Sequence, residues 1–543
     1  MSASAQPTPA RPPAWLGTVP TMRAEQHFGD RVVRCFAPRP KSMYALLAEA
    51  TAANPAGEAI VCGEERLTYR SFGRLVDGWA AALAALGVGR GDRVALLLGN
   101  GIAFPAALFA TQRLGAVAVP ISIREQTAGL AYMLAHCGAK VLVHAAELAG
   151  RLPERAASPQ LRHLIPLAEK ALCGGLGRLD DGPVAAAVPA PIEVDEEDTA
   201  IILYTSGTTG RPKGAMLTHL GICHSAMHYQ CCMGLRANDR SIVAVPMSHV
   251  TGVVALIAAM VRAAATLIVM PAFKASEFLE LAERERMTHT LLVPAMYNLC
   301  LREPCFDGAD LSTWRVGGFG GAPMATAAIA RLARKLPRLH LMNAYGATET
   351  TSPATLMPPT ETAARRDSVG VAVPCCEVLV MDEEGREVRR GDEGEIWLRG
   401  PMVVRGYWDD AKATADSIVA GFWRSGDIGS IDDEGYVRVL DRKKDMINRG
   451  GYKIYSIEVE NALMTHPDVS EAAVIAKPCP VLGERAHAVV CRKHEGVTRE
   501  ELANHCARLL ADYKVPETFS FRNEPLPRNA NGKVMKRELM GEW

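Results

Sequence analysis

The chain of 543 residues lacks an excess of either charge: 60 Lys and Arg stand against 60 Asp and Glu, a formal net charge of zero. Binders of nucleic acid or anionic membrane carry a basic surplus to neutralise phosphates. This balance leaves no electrostatic footprint for either partner, although a local basic groove stays open. Metal-ligand spacing is also missing. The fourteen cysteines show no C-x-x-C and no Cys/His pattern, only adjacent pairs at Cys231-Cys232 and Cys375-Cys376. They read as reduced, mostly buried thiols of a cytoplasmic protein. The N-terminus, rich in Pro and Ala, lacks the continuous apolar core of a secretory signal. The most apolar stretch, Val250 to Met270, is interrupted by Arg262, which would be costly inside a bilayer. A buried helix followed by a strand over Thr266 to Met270 is expected there, and no transmembrane segment. Met540-Gly541-Glu542-Trp543 is not a peroxisomal address. No internal repeat or low-complexity tract stands out.

What is present is an ordinary globular composition, 48% hydrophobic and 22% charged, in a chain too long for one compact core. Apolar runs such as Arg93 to Leu98, Val141 to Val143, Ile242 to Val245 and Leu267 to Met270 alternate with helix-like segments. That alternation predicts α/β layers with buried strands. Beyond Val373 short strands and turns take over, at Glu377 to Met381 and Glu395 to Arg399, which predicts a small β-rich subdomain. A charged segment, Asp441 to Asp445, precedes a compact α+β pattern. In that pattern Ser456 is expected to cap a helix carrying Glu458 and Glu460, and Ala472 to Ala476 suits a strand. Thr498 to Glu501 matches a capping box ahead of Leu502, Cys506, Leu509 and Leu510.

The run Tyr204 to Gly214 reads YTSGTTGRPKG and follows the apolar stretch Ile201-Ile202-Leu203. Thr205, Ser206, Gly207, Thr208, Thr209 and Gly210 offer hydroxyls and approachable backbone N–H groups with little bulk. Arg211 and Lys213 add positive charge. This chemistry suits a polyphosphate. It is not a Walker A loop, because Lys213 lies between Pro212 and Gly214. The string resembles the phosphate-binding signature of the adenylate-forming superfamily: acyl-CoA synthetases, aryl-CoA ligases, luciferases and peptide-synthetase adenylation domains. The resemblance extends from about Leu67 to Lys533 through several separated motifs in the family's order.

Asn343 to Thr350 (NAYGATET) resembles the family's YGxTE element. The resemblance implies an adenine face at Tyr345, close backbone approach at Asn343, Ala344 and Gly346, a phosphate donor at Thr348, and Mg²⁺ on Glu349 with Thr205. Gly317 to Pro323 resembles the GGAP segment beside base and acyl group, which assigns Gly320, Gly321, Ala322 and Pro323 to the nucleotide. A plain Gly-rich turn is the alternative. Trp423 to Asp427 resembles the TGD element, with Ser425 where Thr is common. It implies that Asp427 binds the ribose, and Arg442 matches an arginine facing the same sugar or phosphate. Here Asp441 stands where the family usually has Gly. Lys444 falls at the family's hinge, and Gly450 and Gly451 match the loop that passes the CoA pantetheine. Pro527 to Lys533 resembles the catalytic-lysine motif, with Asn531-Gly532 suited to a tight turn presenting Lys533; a surface hairpin lysine is the alternative. His249 matches a gate near the reacting carboxylate, or is a core histidine.

The Pro- and Ala-rich composition of 1–25 reads as a flexible lead-in, and the resemblance implies an N-terminal AMP- and acyl-binding domain over 26–440, a hinge at 441–445 and a mobile C-terminal lid over 446–543. The resemblance also implies ATP, Mg²⁺ and coenzyme A, with Lys533, Thr205, Glu349 and His249 at the chemistry. The apolar segment Val253 to Met260, which lines an acyl tunnel or forms core, and the lack of a basic residue placed for a second carboxylate lead to the expectation of a hydrophobic carboxylic acid, fatty or aromatic. Dimers are the default oligomer for such a protein. Three rivals share these motifs: a ligase that loads a carrier protein or another acceptor, a luciferase-like oxygenase, and a non-catalytic nucleotide-binding homologue. The chain ends ten residues after Lys533, which is expected to leave no room for a fused carrier domain.

Overall fold

The computed structural model describes residues 13–168, 188–205, 211–494, 496–528 and 534–540. The chain divides into two compact units. The first takes Met1–Val378, Leu398–Arg424 and Glu434–Val437; the second takes Leu379–Trp397, Ser425–Asp433 and Arg438–Trp543.

The first unit carries two large sheets. Six strands lie in the order Lys213–Thr218, Thr199–Thr205, Val117–Pro120, Arg93–Leu97, Val141–Ala145, His163–Leu167. All pair in parallel except Lys213–Thr218, which runs antiparallel to Thr199–Thr205. A nine-stranded sheet is parallel from His340–Tyr345 through Glu58–Cys62, with antiparallel strands closing both edges. Helices on the faces bury these strands, so they read as continuous Val/Ile/Leu runs; every residue of Val141–Ala145 is buried.

Helix His219–Met233 is buried on all but one residue, which explains why it shows no amphipathic stripe. Thr218 caps it by accepting from Gly221 N–H, and Gly234 ends it in the left-handed conformation. The apolar stretch from Val250 folds as a π-helix, Thr251–Ala258, then an α-turn, Ala259–Arg262, then strand Thr266–Val269. The Arg262 guanidinium leaves the core to meet Glu49 at 3.7 Å. Among the described residues no helix is long and apolar enough to cross a membrane. Residues 13–25, assigned to a flexible lead-in by composition, are instead held. Leu16 and Gly17 donate to Cys232 and Cys231 carbonyls, and Met22–His27 pairs with Arg31–Phe36.

In the second unit, strands Tyr452–Ile454, Ile447–Arg449, Gly483–Arg492 and Val469–Cys479 form a sheet in that order, and Thr518–Arg522 joins Gly483–Arg492 in parallel. Helices Ser456–Met464 and Arg499–Ala507 cover it, with Ile447, Val459, Leu463, Val474, Val490, Leu502 and Phe519 in the core. This unit also takes in residues 379–397 and 425–433, part of the stretch that the sequence places in the larger domain. The capping box at Thr498 and Glu501 forms as expected. Ser456 does not cap its helix. The cap position is Tyr455, and the Ser456 hydroxyl points to Asp441 instead. Leu509 lies beyond the helix and is exposed.

Candidate active site

The Ser/Thr/Gly loop hangs from the hairpin formed by the antiparallel strands Thr199–Thr205 and Lys213–Thr218. Lys213 faces Thr205 across it, so the hairpin fixes both ends of the loop. Ser206, Gly207, Thr208, Thr209 and Gly210 lie outside the described residues. At its base the Thr205 hydroxyl donates to the Lys213 carbonyl and to Glu349 Oε1, each at 3.5 Å. Glu349 sits in the short 3₁₀ turn Thr348–Thr350, directly after strand His340–Tyr345. One loop hydroxyl and one acid 144 positions later are therefore brought together.

Tyr407 completes this cluster and was not visible in the sequence. Its hydroxyl donates to Glu349 Oε1 at 3.0 Å, and the Lys213 ammonium lies 5.0 Å from its ring centre. Backbone bonds on both sides hold it: Trp408 N–H donates to Gly214, Met216 N–H to Gly406, and Val404 N–H to Glu349. Burial and the neighbouring carboxylate push the Tyr407 phenol well above its usual range, so it stays a hydrogen-bond donor. The signal available was an aromatic pair, Tyr407-Trp408, behind a glycine in a chain only 6% aromatic.

Glycines shape the neighbouring segment. A Cβ on Gly320 would lie 2.3 Å from the Ala344 carbonyl oxygen of the adjacent strand, and Gly321 has φ +79°. The backbones of the GGAP-like and YGxTE-like segments thus run in register, Gly320 opposite Ala344. Ala322 and Pro323 follow this strand. A Cβ on Gly346 would press on Thr350 Oγ1 and on Ala354 and Pro353. Asn343 donates to the Ser368 carbonyl at 3.4 Å, while the Tyr345 carbonyl accepts from Ala354 N–H. Gly317 and Gly318 do not leave room for a ligand. The Tyr297 hydroxyl comes within 2.9 Å of where a Gly317 Cβ would stand, and Leu291 fills the place at Gly318.

His249 closes a turn on Pro246 and begins the helical stretch by accepting from Val253 N–H. The turn is fixed by Asn100, a second residue missed. Its amide donates to the Val245 and Met270 carbonyls and its oxygen accepts from Met247 N–H. The Gly99-Asn100-Gly101 string at the end of a buried strand was the readable clue.

In the second unit, Asp427 is nearly fully buried and Arg442 binds it through Nε at 2.6 Å. Ser425 supports the pair by donating to Ile396 and accepting from Asp427 N–H. Lys444 is exposed within a turn closed by Asp445 and Met446 N–H bonds to the Arg442 carbonyl. Gly450 (φ +59°) and Gly451 (φ +92°) form the two-residue turn between paired strands Ile447–Arg449 and Tyr452–Ile454, a conformation both glycines ease. Lys533 lies outside the described residues. Its flanks are tied by an Arg528–Val534 bridge and a Met535 N–H bond to Pro527.

The Thr205 hydroxyl and Glu349 carboxylate are hard oxygen donors, of the kind Mg²⁺ takes together with phosphate oxygens and waters. The donor set fits that ion. Burial pushes the Cys35 and Cys300 thiols to about 12, far from the thiolate form.

Comparison with known proteins decides the family. Residues 47–408 match the AMP-binding enzyme family, and residues 458–533 match the AMP-binding enzyme C-terminal domain. The chain belongs to this adenylate-forming family. A long-chain-fatty-acid–CoA ligase, FadD13, of Mycobacterium tuberculosis is 34% identical over 479 residues, 88% of this chain and 93% of its own. A feruloyl-CoA synthase of Amycolatopsis is 35% identical over 487 residues, 90% and 96% of the two chains. The o-succinylbenzoate coenzyme A synthetase of Bacillus subtilis, solved with ATP and magnesium, superposes with a TM-score of 0.81 at 28% identity. That match covers 91% of this chain and 98% of that one.

Proposed function

We propose that this protein is an AMP-forming acyl-CoA synthetase. It activates a hydrophobic carboxylic acid with ATP to the acyl-adenylate, then transfers the acyl group to coenzyme A, releasing AMP and pyrophosphate. The observation that carries this reading is the meeting of Thr205, Lys213 and Glu349 at the foot of the Ser/Thr/Gly loop, in a chain of the AMP-binding family.

A carboxylate is a poor acyl donor because its leaving group would be oxide. In the first half-reaction its oxygen attacks the α-phosphorus of ATP, a P–O bond forms, and pyrophosphate departs with the electrons of the bond that breaks. The Thr205 hydroxyl and the Lys213 ammonium hold the phosphates and offset their charge. Glu349 and Thr205 would hold Mg²⁺, which when bound would supply further charge neutralisation. The backbone at Gly320, Gly321, Ala322, Pro323, Asn343, Ala344 and Gly346 receives the base beside Tyr345, and Thr348 donates to phosphate. Asp427 and Arg442 take the ribose. Lys533 supplies a second cation. In the second half-reaction the coenzyme A thiolate attacks the acyl carbon and AMP leaves. Gly450 and Gly451 make way for the pantetheine arm, His249 gates the carboxylate, and Lys444 is the pivot between the half-reactions.

The named substrates of the relatives, a long-chain fatty acid and ferulate, support a hydrophobic monocarboxylate. A cytoplasmic setting agrees with cysteines that form no disulfide among the described residues. Dimerisation is the default for an enzyme of this size. The test is pyrophosphate release by the purified protein against fatty acids of graded length and aryl acids, with and without coenzyme A. Acid-dependent release, accelerated by coenzyme A, is expected. No release across the panel would leave only nucleotide binding, and release indifferent to coenzyme A would point to another acceptor.

A further inference from the structure

Lys213 and Glu349 converge on the same corner of the first unit, yet they do not pair. Thr205, directly opposite Lys213 in the hairpin, reaches Glu349 at 3.5 Å. A lysine and a glutamate brought this close and partly shielded from water gain by collapsing into an ion pair. Among the described residues Lys213 forms no such pair. Its ammonium lies over the ring of Tyr407, 5.0 Å from the centroid, and the hydroxyl of that same ring holds Glu349 Oε1 at 3.0 Å. Tyr407 is 6% exposed and is fixed by backbone bonds at Gly406 and Trp408 and by the Thr414 hydroxyl on its own N–H. Its ring is held in this place by burial and by the hydroxyl's bond to Glu349.

We propose that Tyr407 is a positioning residue that holds the Lys213 ammonium and the Glu349 carboxylate apart, keeping the first for phosphate and the second for a divalent cation. The proposal rests on the reading of Glu349 as a cation ligand. The ring face satisfies the ammonium without neutralising it, as cation–π contacts do. The hydroxyl satisfies one carboxylate oxygen without adding a charge. A single side chain thereby prevents a neutral pair that would weaken the site for both of its partners.

The probe is Mn²⁺, which takes oxygen ligands like those of Mg²⁺. Free Mn²⁺ is read by electron paramagnetic resonance during titration of the full-length protein with a non-hydrolysable ATP analogue. Tyr407→Phe keeps the ring that holds the Lys213 ammonium and is expected to stay within about threefold of wild-type affinity. Tyr407→Leu removes the ring and is expected to weaken Mn²⁺ about tenfold, within the range for directly coupled neighbours. Adding Lys213→Met to Tyr407→Leu should restore the affinity to that of Lys213→Met alone, since the intruding charge is gone. Losses that simply add in the double variant, or an equal loss in Tyr407→Phe and Tyr407→Leu, overturn the proposal while leaving wild-type binding intact. Wild-type protein that binds no Mn²⁺ with the analogue overturns the reading of Glu349, and the proposal with it. Should Tyr407→Leu fail to fold, Tyr407→Met, closer in volume and equally without a ring, takes its place in the cycle.

Discussion

The buried carboxylate of Asp441 accepts both the backbone N–H and the hydroxyl of Ser456. It is the helix cap that Ser456 itself was expected to be. Lys536 donates to the same Ser456 hydroxyl and pairs with Glu460, each at 2.6 Å, so the start of helix Ser456–Met464 is gripped from two distant parts of the chain. Burial pushes the Asp441 carboxyl up, while Lys536 and the Ser456 donors oppose that shift. Asp441→Ala strands these donors in the interior. It is expected to destabilise the second unit by about 2–4 kcal/mol, whereas Asp441→Asn, which retains an acceptor, costs about half as much. Hydrogen exchange across residues 456–464 reads the difference, and unchanged protection in Asp441→Ala would contradict the cap.

Replacing Glu349 by Gln removes the charge from the carboxylate that Thr205 and Tyr407 both contact. Acid-dependent pyrophosphate release should fall by about 10²–10³-fold at fixed magnesium, the usual cost of one preorganised charge. Raising magnesium should recover part of the rate. A defect insensitive to magnesium would assign Glu349 another task.

Lys533→Ala separates the half-reactions. Adenylate formation should drop by about 10²–10³-fold, while thioester formation from presynthesised acyl-AMP stays near the wild-type rate. Single-turnover measurement of each half decides it. Equal losses in both would remove the distinct role for Lys533.

Gly320→Ala places a methyl 2.3 Å from the Ala344 carbonyl in a paired parallel strand. Overpacking of this kind costs about 1–3 kcal/mol. The change should also weaken nucleotide binding, seen by calorimetry, because the strand that must shift carries the NAYGATET segment.

Stability should fall as acid builds. His224 accepts Phe36 N–H on one ring nitrogen and donates to Leu220 from the other; His219 accepts from Met43 N–H. Burial holds both at about 4 in the folded chain, below the ordinary 6.5. The unfolded chain therefore binds their protons first. Their contribution is full above about pH 6.5 and is lost as the pH falls toward 4, on the order of 1–3 kcal/mol for each histidine. Urea midpoints between pH 8 and pH 4.5 should decline chiefly below 6.5. A flat profile would mean that these rings are charged in the native state.

Local chemistry was legible in the sequence. The apolar run before Tyr204 is a strand and the Thr498 box is a cap, because each depends on residues a few positions apart. The Thr205–Glu349 contact was legible through family resemblance. Tyr407 and Asn100 were not, since their partners lie far away in the chain and the local signals, an aromatic pair and a Gly-Asn-Gly string, name no partner. Ser456 misled for the same reason: a serine at a helix start is a good cap until a buried carboxylate from residue 441 does the task better. The glycines Gly317 and Gly318 leave no open space, because a missing side chain is filled by whatever packs against it, here Tyr297 and Leu291.

Asn100 follows a strand of the six-stranded sheet, and the carbonyls it holds end two strands of the nine-stranded one. One amide thus staples two independent sheets at their carboxyl edges. Its two donors and one acceptor answer two carbonyls and one N–H, so an aspartate of identical shape would turn attraction into repulsion at both carbonyls. The geometry around His249 is in this sense inherited from a sheet to which His249 does not belong.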